Sequence, residues 1–296
     1  MTGIKRNLRS DYSLGVILIV AAAIAYSTAG LFTKGVVAGV WAVIFWRGVF
    51  AVGFSVAWTV YKGTFRQNFL GFGASGWCVA IIGALGTAAF IPAFRLTSIA
   101  NVSLIYATAP LIAAAFAWVM IGERITARTL IGCIGALLGV GIIVSGSLGQ
   151  FSIYGDLLAL VMTIAMALIM VTYRKYPNTP GAGPTAMQSI LLTPVALFFG
   201  QPFQTDPVEI FILAAFGLLF AIAAISLAEG AKRVPSGQTA LLSALETPLA
   251  PFFAFLLFME IPTRATVVGG AIVLIAVLAS ISSEVMSAKS VTDRAC

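Results

Sequence analysis

Ten runs of about 20 mostly apolar residues follow one another along this chain, and each is long enough to cross the hydrocarbon core of a bilayer as a helix. The seventh run is the weakest, because it is short and contains Pro194. The linkers between the runs are too short to form a separate soluble domain. We therefore predict an all-α membrane protein with ten transmembrane helices, over residues 14–33, 40–60, 76–94, 102–120, 129–147, 153–172, 185–200, 208–227, 237–258 and 266–283.

The composition indicates that the chain is built for a bilayer and not for water. Hydrophobic residues make up 60% of the chain and charged residues only 9%, whereas a soluble domain carries about 25% charged residues. The net charge of +7 does not indicate nucleic-acid binding, because the Lys and Arg residues are scattered between apolar runs and form no basic stripe. Because the chain has no histidine and only three cysteines in no metal-binding spacing, we expect neither a metal nor a cofactor.

The distribution of cations between the linkers predicts the orientation of the chain. Thirteen Lys and Arg residues fall on one side of the predicted spans and three, Lys34, Arg95 and Arg264, on the other. Because cytoplasmic loops carry the excess of Lys and Arg, we predict a multi-pass protein of the cell inner (plasma) membrane with both termini in the cytoplasm. The thirteen are Lys5, Arg6, Arg9, Lys62, Arg66, Arg124, Arg128, Arg174, Lys175, Lys232, Arg233, Lys289 and Arg294.

An internal repeat relates the two halves of the chain. The motif Glu-x-x-Thr-x-x-Thr-x-x-Gly begins at Glu123 and again at Glu260, an offset of 137 residues, each time between two predicted spans. The first spans of the halves, 15–34 and 155–175, also correspond, because each begins at a glycine and ends at a cation. We therefore predict two five-helix repeats, residues 12–147 and 153–284, flanked by cytoplasmic tails 1–11 and 285–296.

The odd number of spans in each repeat has a consequence for the architecture. The second copy enters the membrane from the side opposite to the first, so the repeats are inverted about an axis in the membrane plane. Inverted repeats are the plan of many secondary transporters. They predict a solute site in a central cavity between the two repeats, open to each face of the membrane in turn by alternating access.

Short motifs recur in a fixed order along the chain. They are 96–102 (LTSIANV), Pro110 and 122–126 (GERIT) in the first half, and 155–159 (GDLLA) with Arg174 and Lys175 in the second. Their order and duplication resemble the EamA family of the drug/metabolite transporter (DMT) superfamily over about residues 14–283. This resemblance implies ten helices, cytoplasmic termini and export of amino acids or related metabolites, with the aromatic amino acid exporters of the YddG type as a functional analogy. In departure from the family, 259–262 (MEIP) replaces Gly-Glu-Arg and 21–26 lacks a Trp.

Two ionisable residues lie deep inside predicted spans, where a charge is costly and usually has a function. Glu246 lies about 15 Å into the ninth span and Arg47 about 12 Å into the second, so their depths are similar. Glu246 is predicted to bind a substrate ammonium group or accept a coupling proton, with a structural role as the alternative. Arg47 is predicted to bind a substrate carboxylate, to pair with Glu246 or to stabilise helix packing.

Pro110 and Pro248 fall at nearly equivalent places in the two halves. Proline removes a backbone hydrogen bond, and paired breaks in corresponding spans point to the binding site of a transporter. We predict that the two prolines act as hinges, with a tolerated kink as the alternative.

Polar and aromatic side chains near these breaks complete the predicted site. Such groups suit an amino acid with an aromatic or other neutral side chain. The alternative for each Ser or Thr is a role in helix packing. The predicted substrate-binding residues are Tyr26, Ser27, Arg47, Thr87, Phe90, Asn101, Tyr106, Ser243 and Glu246.

The leading prediction is a secondary transporter of a small-molecule substrate, and not an enzyme. A transporter of another solute, such as a nucleoside, a sugar or a drug, is the main alternative, and an intramembrane enzyme or a channel is a weaker one. The sequence contains no Walker A, HExxH or GxSxG motif, and no continuous polar stripe indicates a channel.

Two further motifs carry structural predictions. Gly135 and Gly139 form a GxxxG motif that favours close packing within one chain over a dimer face, so we expect a monomer. Glu123, next to Arg124 and Arg128, is expected to form a surface salt bridge or a helix cap.

Overall fold

The fold is known from a computed structural model that describes residues 2–29, 32, 36–97, 99–145, 152–259, 261 and 263–293. Over these residues the chain is helical, with short connecting turns and no β-strand, which confirms the predicted all-α class. Lys34, Glu260, Pro262 and Arg294, which the sequence predictions use, lie outside the described residues.

The helices follow the predicted spans, and the weak seventh span is a helix despite Pro194 inside it. A short 3-10 turn, Pro202–Gln204, precedes α10. The α-helices are α1 Thr2–Ser27, α2 Val40–Tyr61, α3 Phe65–Phe69, α4 Gly73–Leu96, α5 Ile99–Tyr106, α6 Ala109–Ile121, α7 Ala127–Ser145, α8 Ile153–Lys175, α9 Ala182–Phe199, α10 Pro207–Ala231, α11 Ser236–Ser243, α12 Glu246–Phe258 and α13 Arg264–Asp293.

Seven helical segments in the described part of the chain are long and apolar enough to cross a membrane. Two shorter apolar helices, Asp11–Ser27 and Arg264–Ser280, fall where the first and last spans were predicted, and the ninth predicted span is divided between α11 and α12. The protein is therefore a multi-pass helical membrane protein, and the count of ten stays a prediction. The seven segments are Val40–Tyr61, Gly73–Leu96, Asn101–Ile121, Ala127–Ser145, Ile153–Lys175, Ala182–Phe199 and Pro207–Ala231.

Large apolar side chains cover the outside of the helices. Phe198, Phe211 and Val119 expose 83%, 79% and 75% of their surface. Exposing apolar area to water costs about 25 cal/mol per Å², whereas lipid tails remove this cost. Small side chains such as Ala113 and Ala167 fill the interior instead, so neighbouring helices approach closely.

Two of the spans are interrupted, and they are interrupted at the same place in the repeat. In the first half α5 ends at Tyr106 and α6 begins at Ala109, and in the second half α11 ends at Ser243 and α12 begins at Glu246. Each boundary in the second half lies 137 residues after the corresponding boundary in the first half. This is also the offset of the motif repeat from Glu123 to Glu260. The sequence repeat is therefore also a repeat of backbone conformation.

Helices of the two halves pack in reciprocal pairs. α1 packs against α10. At the repeat offset α1 corresponds to α8 and α10 corresponds to α4, and α8 and α4 also pack against each other. α2 packs against α9, and α7 against α13, so these pairs each join a helix to its own counterpart. The packing pattern is therefore unchanged when the halves are exchanged, as expected for halves related by a two-fold axis.

Glycines allow the closest of these contacts, between α7 and α13. A Cβ atom on Gly132 would lie 3.3 Å from the carbonyl oxygen of Ala276, and one on Gly139 would lie 2.8 Å from the carbonyl oxygen of Gly269. Gly132 and Gly269 are counterparts at the repeat offset, as are Gly139 and Ala276. The GxxxG motif of α7 is thus packed against α13 of the same chain, because a larger side chain would separate the two backbones.

Candidate solute-binding site

The two helix breaks meet through Tyr106 and Glu246. Tyr106 is the last residue of α5, and Glu246 is the first residue of α12. The Tyr106 hydroxyl lies near the Glu246 carboxylate and interacts with it electrostatically. Tyr106 is buried, whereas Glu246 keeps part of its surface accessible. A phenol from one half and an acid from the other therefore form one polar site among apolar helices.

Local chemistry explains the first break. Pro110 lies at the start of α6 and has no N–H to donate to the carbonyl of Tyr106, four residues earlier. The Thr108 hydroxyl donates to the carbonyl of Ile105 at 2.6 Å and so satisfies a backbone acceptor in the last turn of α5. The sequence prediction of an interruption near Pro110 is therefore confirmed.

The second break differs in where its proline lies. Pro248 is the third residue of α12, one position later in the repeat than Pro110, and it packs beside Gly270 of α13. Glu246 occupies the first turn of α12, where the positive end of the helix dipole favours a negative charge. The first position of α6 is Ala109, so only the second break carries an acid.

Tyr26 interacts with both the acid and a buried arginine. It is the penultimate residue of α1, and its phenol interacts electrostatically with both Glu246 and Arg47. Its ring stands edge-on to the ring of Phe220, with 6.3 Å between the centroids. Four of the residues predicted from the sequence, Tyr26, Arg47, Tyr106 and Glu246, are thus brought together.

Arg47 is held by aromatic rings. Its guanidinium carbon lies 4.1 Å from the ring centroid of Phe220 and 5.5 Å from that of Phe216. Helix α10 approaches α2 closely at Gly217, where a Cβ atom would lie 2.7 Å from the carbonyl oxygen of Arg47. Among the ion pairs of the described residues, none joins Arg47 to Glu246. The direct pairing of these two charges, which the sequence left as an alternative, is therefore not formed in this structure.

Sequence reasoning missed Phe216 and Phe220. The available signal was their spacing of four residues on α10, which places both rings on one face of the helix. That spacing shows a shared face and not what the face packs against. The contact with Arg47 depends on the packing of α10 against α2, which the sequence pattern does not contain.

The predicted hydroxyl ligands are bonded to their own helices. The Ser27 hydroxyl donates to the carbonyl of Ile24 at 2.6 Å, and the Ser243 hydroxyl donates to the carbonyl of Thr239 at 3.0 Å. Both serines are buried at the ends of helices that reach the site, α1 and α11. Each oxygen can still accept a hydrogen bond, so a contact with a solute donor stays a prediction.

Asn101 belongs to a cluster at the start of α8. Its side-chain nitrogen donates to the Thr97 hydroxyl at 3.1 Å, and that hydroxyl donates to the Asp156 carboxylate at 2.7 Å. This chain of hydrogen bonds links the junction of α4 and α5 to the second half. Asn101 thus takes part in a hydrogen-bonded link between helices, and its predicted contact with a solute stays a prediction.

The two predicted residues of α4, Thr87 and Phe90, both keep part of their surface accessible. The ring of Phe90 lies 4.9 Å from that of Phe94, centroid to centroid, and packs against the apolar cluster that contains Tyr106. Phe90 therefore reaches the edge of the site. Thr87 lies one helical turn before it on the same helix.

A second contact between the halves lies at the end of the molecule that carries Arg174. One Glu123 carboxylate oxygen accepts from the Arg174 side chain at 3.1 Å, and the other accepts from the backbone N–H of Ser236 at 2.7 Å. Arg174 also donates to the carbonyl of Lys232 at 3.1 Å. The predicted cap and salt bridge of Glu123 are confirmed, and both partners come from the second half of the chain.

These groups together offer binding chemistry. A carboxylate attracts an ammonium group, a guanidinium attracts a carboxylate, and phenols supply hydrogen bonds and apolar contact. Among the described residues, no group of three or more His, Cys, Asp or Glu side chains is placed to hold a metal ion.

Comparison with known proteins shows which protein family the chain matches. The profile of the EamA-like transporter family matches twice, over residues 13–145 and over 153–282. One solved crystal structure of a protein aligns with a TM-score of 0.78 and 17% sequence identity. The alignment covers 90% of this chain and 98% of that chain. At this identity the likeness shows the fold alone. No curated protein matches the sequence.

Proposed function

Because the chain belongs to the EamA-like transporter family, we propose that it is a secondary transporter that exports small metabolites, amino acids with aromatic or other neutral side chains above all. The family consists of membrane transporters and not of enzymes. The observation that supports this substrate class is the meeting of Glu246 and Tyr106 at the two helix breaks.

The chemistry of the site favours a solute with an amino group. A carboxylate among membrane helices is costly unless it binds a cation or a proton, and such groups usually belong to a transport pathway. Glu246 offers an ammonium group its counter-charge, and Tyr106 and Tyr26 flank the acid with hydroxyls and aromatic rings. An aromatic or other neutral amino acid combines the ammonium group and the apolar side chain that this lining suits. The same features support the analogy with the aromatic amino acid exporters of the YddG type.

The proposed architecture is ten transmembrane helices in two inverted repeats, residues 12–147 and 153–284, with tails 1–11 and 285–296. The reciprocal helix pairs and the shared boundaries of the broken spans support it. Inverted repeats place the solute in a central cavity between them and allow it to be exposed to each face in turn. On this proposal Pro110 and Pro248 are hinges.

In an alternating-access cycle, the contacts of Glu123 would close the site on one face of the membrane. They join the linker between α6 and α7 to Arg174 and Ser236 of the other half. When the site opens toward that face, the halves separate there and these hydrogen bonds break. Alternating access through rocking of the repeats requires such contacts to be reversible, and the partly exposed positions of Glu123 and Arg174 keep them so.

The proposed site comprises the residues predicted from the sequence, with Glu246 as its centre. We place the protein in the cell inner (plasma) membrane with both termini in the cytoplasm, because the loops with most cations would then face the cytoplasm. A monomer is supported by the packing of the GxxxG motif inside the chain. The substrate-binding residues are Tyr26, Ser27, Arg47, Thr87, Phe90, Asn101, Tyr106, Ser243 and Glu246.

Counterflow into proteoliposomes tests the proposal. Vesicles containing the purified protein are loaded with one unlabelled solute, and entry of the same labelled solute is followed for the twenty amino acids, for nucleosides and for sugars. We expect saturable exchange confined to aromatic and other neutral amino acids. Exchange of nucleosides or sugars alone would contradict the substrate class, non-saturable flux would indicate a channel, and no exchange of any solute would contradict the proposal.

A further inference from the structure

Arg47 combines deep burial with unused hydrogen-bonding capacity. The residue is 4% exposed, and its Nε atom is buried without a hydrogen-bond partner. No ion pair of the described residues involves its guanidinium, which instead lies over the rings of Phe220 and Phe216. A charged donor in this condition is exceptional, because buried polar groups are nearly always paired.

The aromatic rings satisfy only part of what a guanidinium requires. A ring face attracts the positive charge, but it accepts none of the five N–H groups in the way that an oxygen does. The ligand whose geometry matches the planar donor set of arginine is a carboxylate, which binds it through two parallel hydrogen bonds. The contacts with Phe216 and Phe220 hold the guanidinium in one place, so its donors are oriented before a ligand arrives.

Arg47 also lies in the same site as the acid. The phenol of Tyr26 interacts electrostatically with both Arg47 and Glu246. Because the two charges form no ion pair with each other, each remains available to a solute group of opposite sign. A site with an anion-binding end and a cation-binding end fits one small molecule that carries both charges.

We propose that Arg47 binds the carboxylate of the transported solute while Glu246 binds its ammonium group, so that the site selects zwitterions over amines and over carboxylic acids. This inference rests on the proposed transport function and assigns a specificity-determining role to Arg47. It requires that removal of Arg47 changes the choice among solutes. If the guanidinium only held α2 against α10, its removal would weaken the binding of all solutes by the same factor.

Three probes of equal apolar size separate these roles. L-phenylalanine carries both charges, 2-phenylethylamine lacks the carboxylate, and 3-phenylpropionate lacks the ammonium group. Each competes with counterflow of labelled L-phenylalanine in proteoliposomes that contain the wild-type protein, Arg47→Gln or Arg47→Lys. Arg95→Gln is the matched control, because Arg95 is an exposed arginine that donates to the carbonyl of Ala38 at one end of the molecule.

For the wild type we expect L-phenylalanine to compete at least about 10-fold better than 2-phenylethylamine, because a site built for a polar group rejects the analogue that lacks it. In Arg47→Gln this ratio should fall to about one while the competition by 2-phenylethylamine is unchanged, as expected when a charge-assisted bond to the carboxylate is lost. Arg47→Lys should retain part of the ratio, since lysine keeps the charge without the paired donors. Arg95→Gln should keep the wild-type ratio.

The possible outcomes distinguish this inference from the function on which it rests. If Arg47→Gln and the wild type prefer L-phenylalanine over 2-phenylethylamine by the same ratio, Arg47 does not bind the carboxylate, although transport of amino acids stands. If the wild type exchanges no amino acid at all, the proposed substrate class fails, and the zwitterion site fails with it. Where Arg47→Gln does not fold, as judged by its thermal unfolding in detergent, Arg47→Lys alone decides, and an unchanged ratio there overturns the inference.

Discussion

The two helix breaks share a backbone and differ in their side chains. Tyr106 corresponds to Ser243 at the repeat offset, and Ala109 corresponds to Glu246, while the helix ends fall at the same repeat positions in both halves. The shared conformation therefore does not need these particular residues. The phenol of one break and the acid of the other approach each other, so the departures from symmetry create the polar site. The symmetric residues build the frame, and the asymmetric ones supply the chemistry.

The ends of α6 and α12, outside the site, also share a conformation and differ in residue type. Gly122 and Met259 both end their helices in the left-handed conformation, with φ of 69° and 54°. The caps that follow are also alike, because the N–H of Thr129 bonds to the Thr126 hydroxyl and that of Thr266 to the Thr263 hydroxyl, each at 3.2 Å. The helix end and the cap that follows keep their conformation, although the residue type at the helix end differs between the halves.

The largest effect is expected from removing the asymmetric acid. Glu246→Gln keeps the size of the side chain and removes its charge, which should lower the initial rate of amino acid counterflow roughly 30-fold or more, as losses of about 2–5 kcal/mol from a buried charge imply. Glu209→Gln is the matched control, because Glu209 also lies in the first turn of a helix but accepts from Val37 and Ala38 at a helix end. Wild-type rates for Glu246→Gln would show that the acid has no part in transport.

Removing the asymmetric phenol should have a smaller effect on the same rate. Tyr106→Phe deletes the hydroxyl that faces Glu246 and leaves the ring, so counterflow should slow about 10-fold, the loss expected for one hydrogen bond to a charged group. Tyr61→Phe serves as the control, since Tyr61 is 82% exposed at the end of α2. A Tyr106→Phe protein as fast as the Tyr61→Phe control would mean that the two breaks do not cooperate.

The contact of Glu123 between the halves is expected to affect stability. Glu123→Ala leaves Arg174 and the Ser236 N–H without their partner and should destabilise the protein in detergent by about 1–2 kcal/mol, a lost helix cap plus a partly exposed ion pair. Glu123→Gln should lose less, because its amide oxygen still accepts from Ser236. Glu229→Ala is the comparison, since Glu229 pairs with Lys232 and Arg233 beside it. Equal thermal unfolding of Glu123→Ala and wild type would contradict this assignment.

The smallest effect is expected at the helix ends, and it should have opposite signs in the two halves. Met259 is the only residue other than glycine with positive φ among those described, a conformation that costs an L side chain about 1 kcal/mol. Met259→Gly should therefore raise the thermal unfolding midpoint, and Gly122→Ala should lower it. No atom lies within 4 Å of a Cβ placed on Gly122, so the backbone alone decides. Shifts of the same sign in both variants would refute the comparison.

Much of the frame could be predicted from the sequence. The apolar runs determine the membrane class, and the recurrence of the Glu123 motif at Glu260 gave the offset that the helix boundaries follow. The prolines located both breaks, because a residue without an N–H cannot continue a helix unchanged. Glu246 and Arg47 stood out as charges in apolar surroundings. These features are local or periodic, and the sequence displays them directly.

Contacts between distant helices could not be predicted in the same way. The rings under Arg47 and the partner of Glu123 depend on which faces of α10, α2 and α8 meet, and many faces of apolar helices look equivalent in sequence. Phe216 and Phe220 are two phenylalanines among many, and Arg174 resembles any cation at a helix end. Only the packing of the two halves distinguishes these residues from their neighbours.

A double-mutant cycle between Tyr106 and Glu246 tests most directly whether the two breaks act as one site. Initial counterflow rates of the wild type, Tyr106→Phe, Glu246→Gln and the double variant give the coupling energy between the two side chains. We predict that the double variant is no slower than Glu246→Gln alone, so that the coupling equals the whole loss from Tyr106→Phe, about 1.4 kcal/mol for a 10-fold change in rate. Losses that simply add would contradict the account, because the phenol and the acid would then act independently.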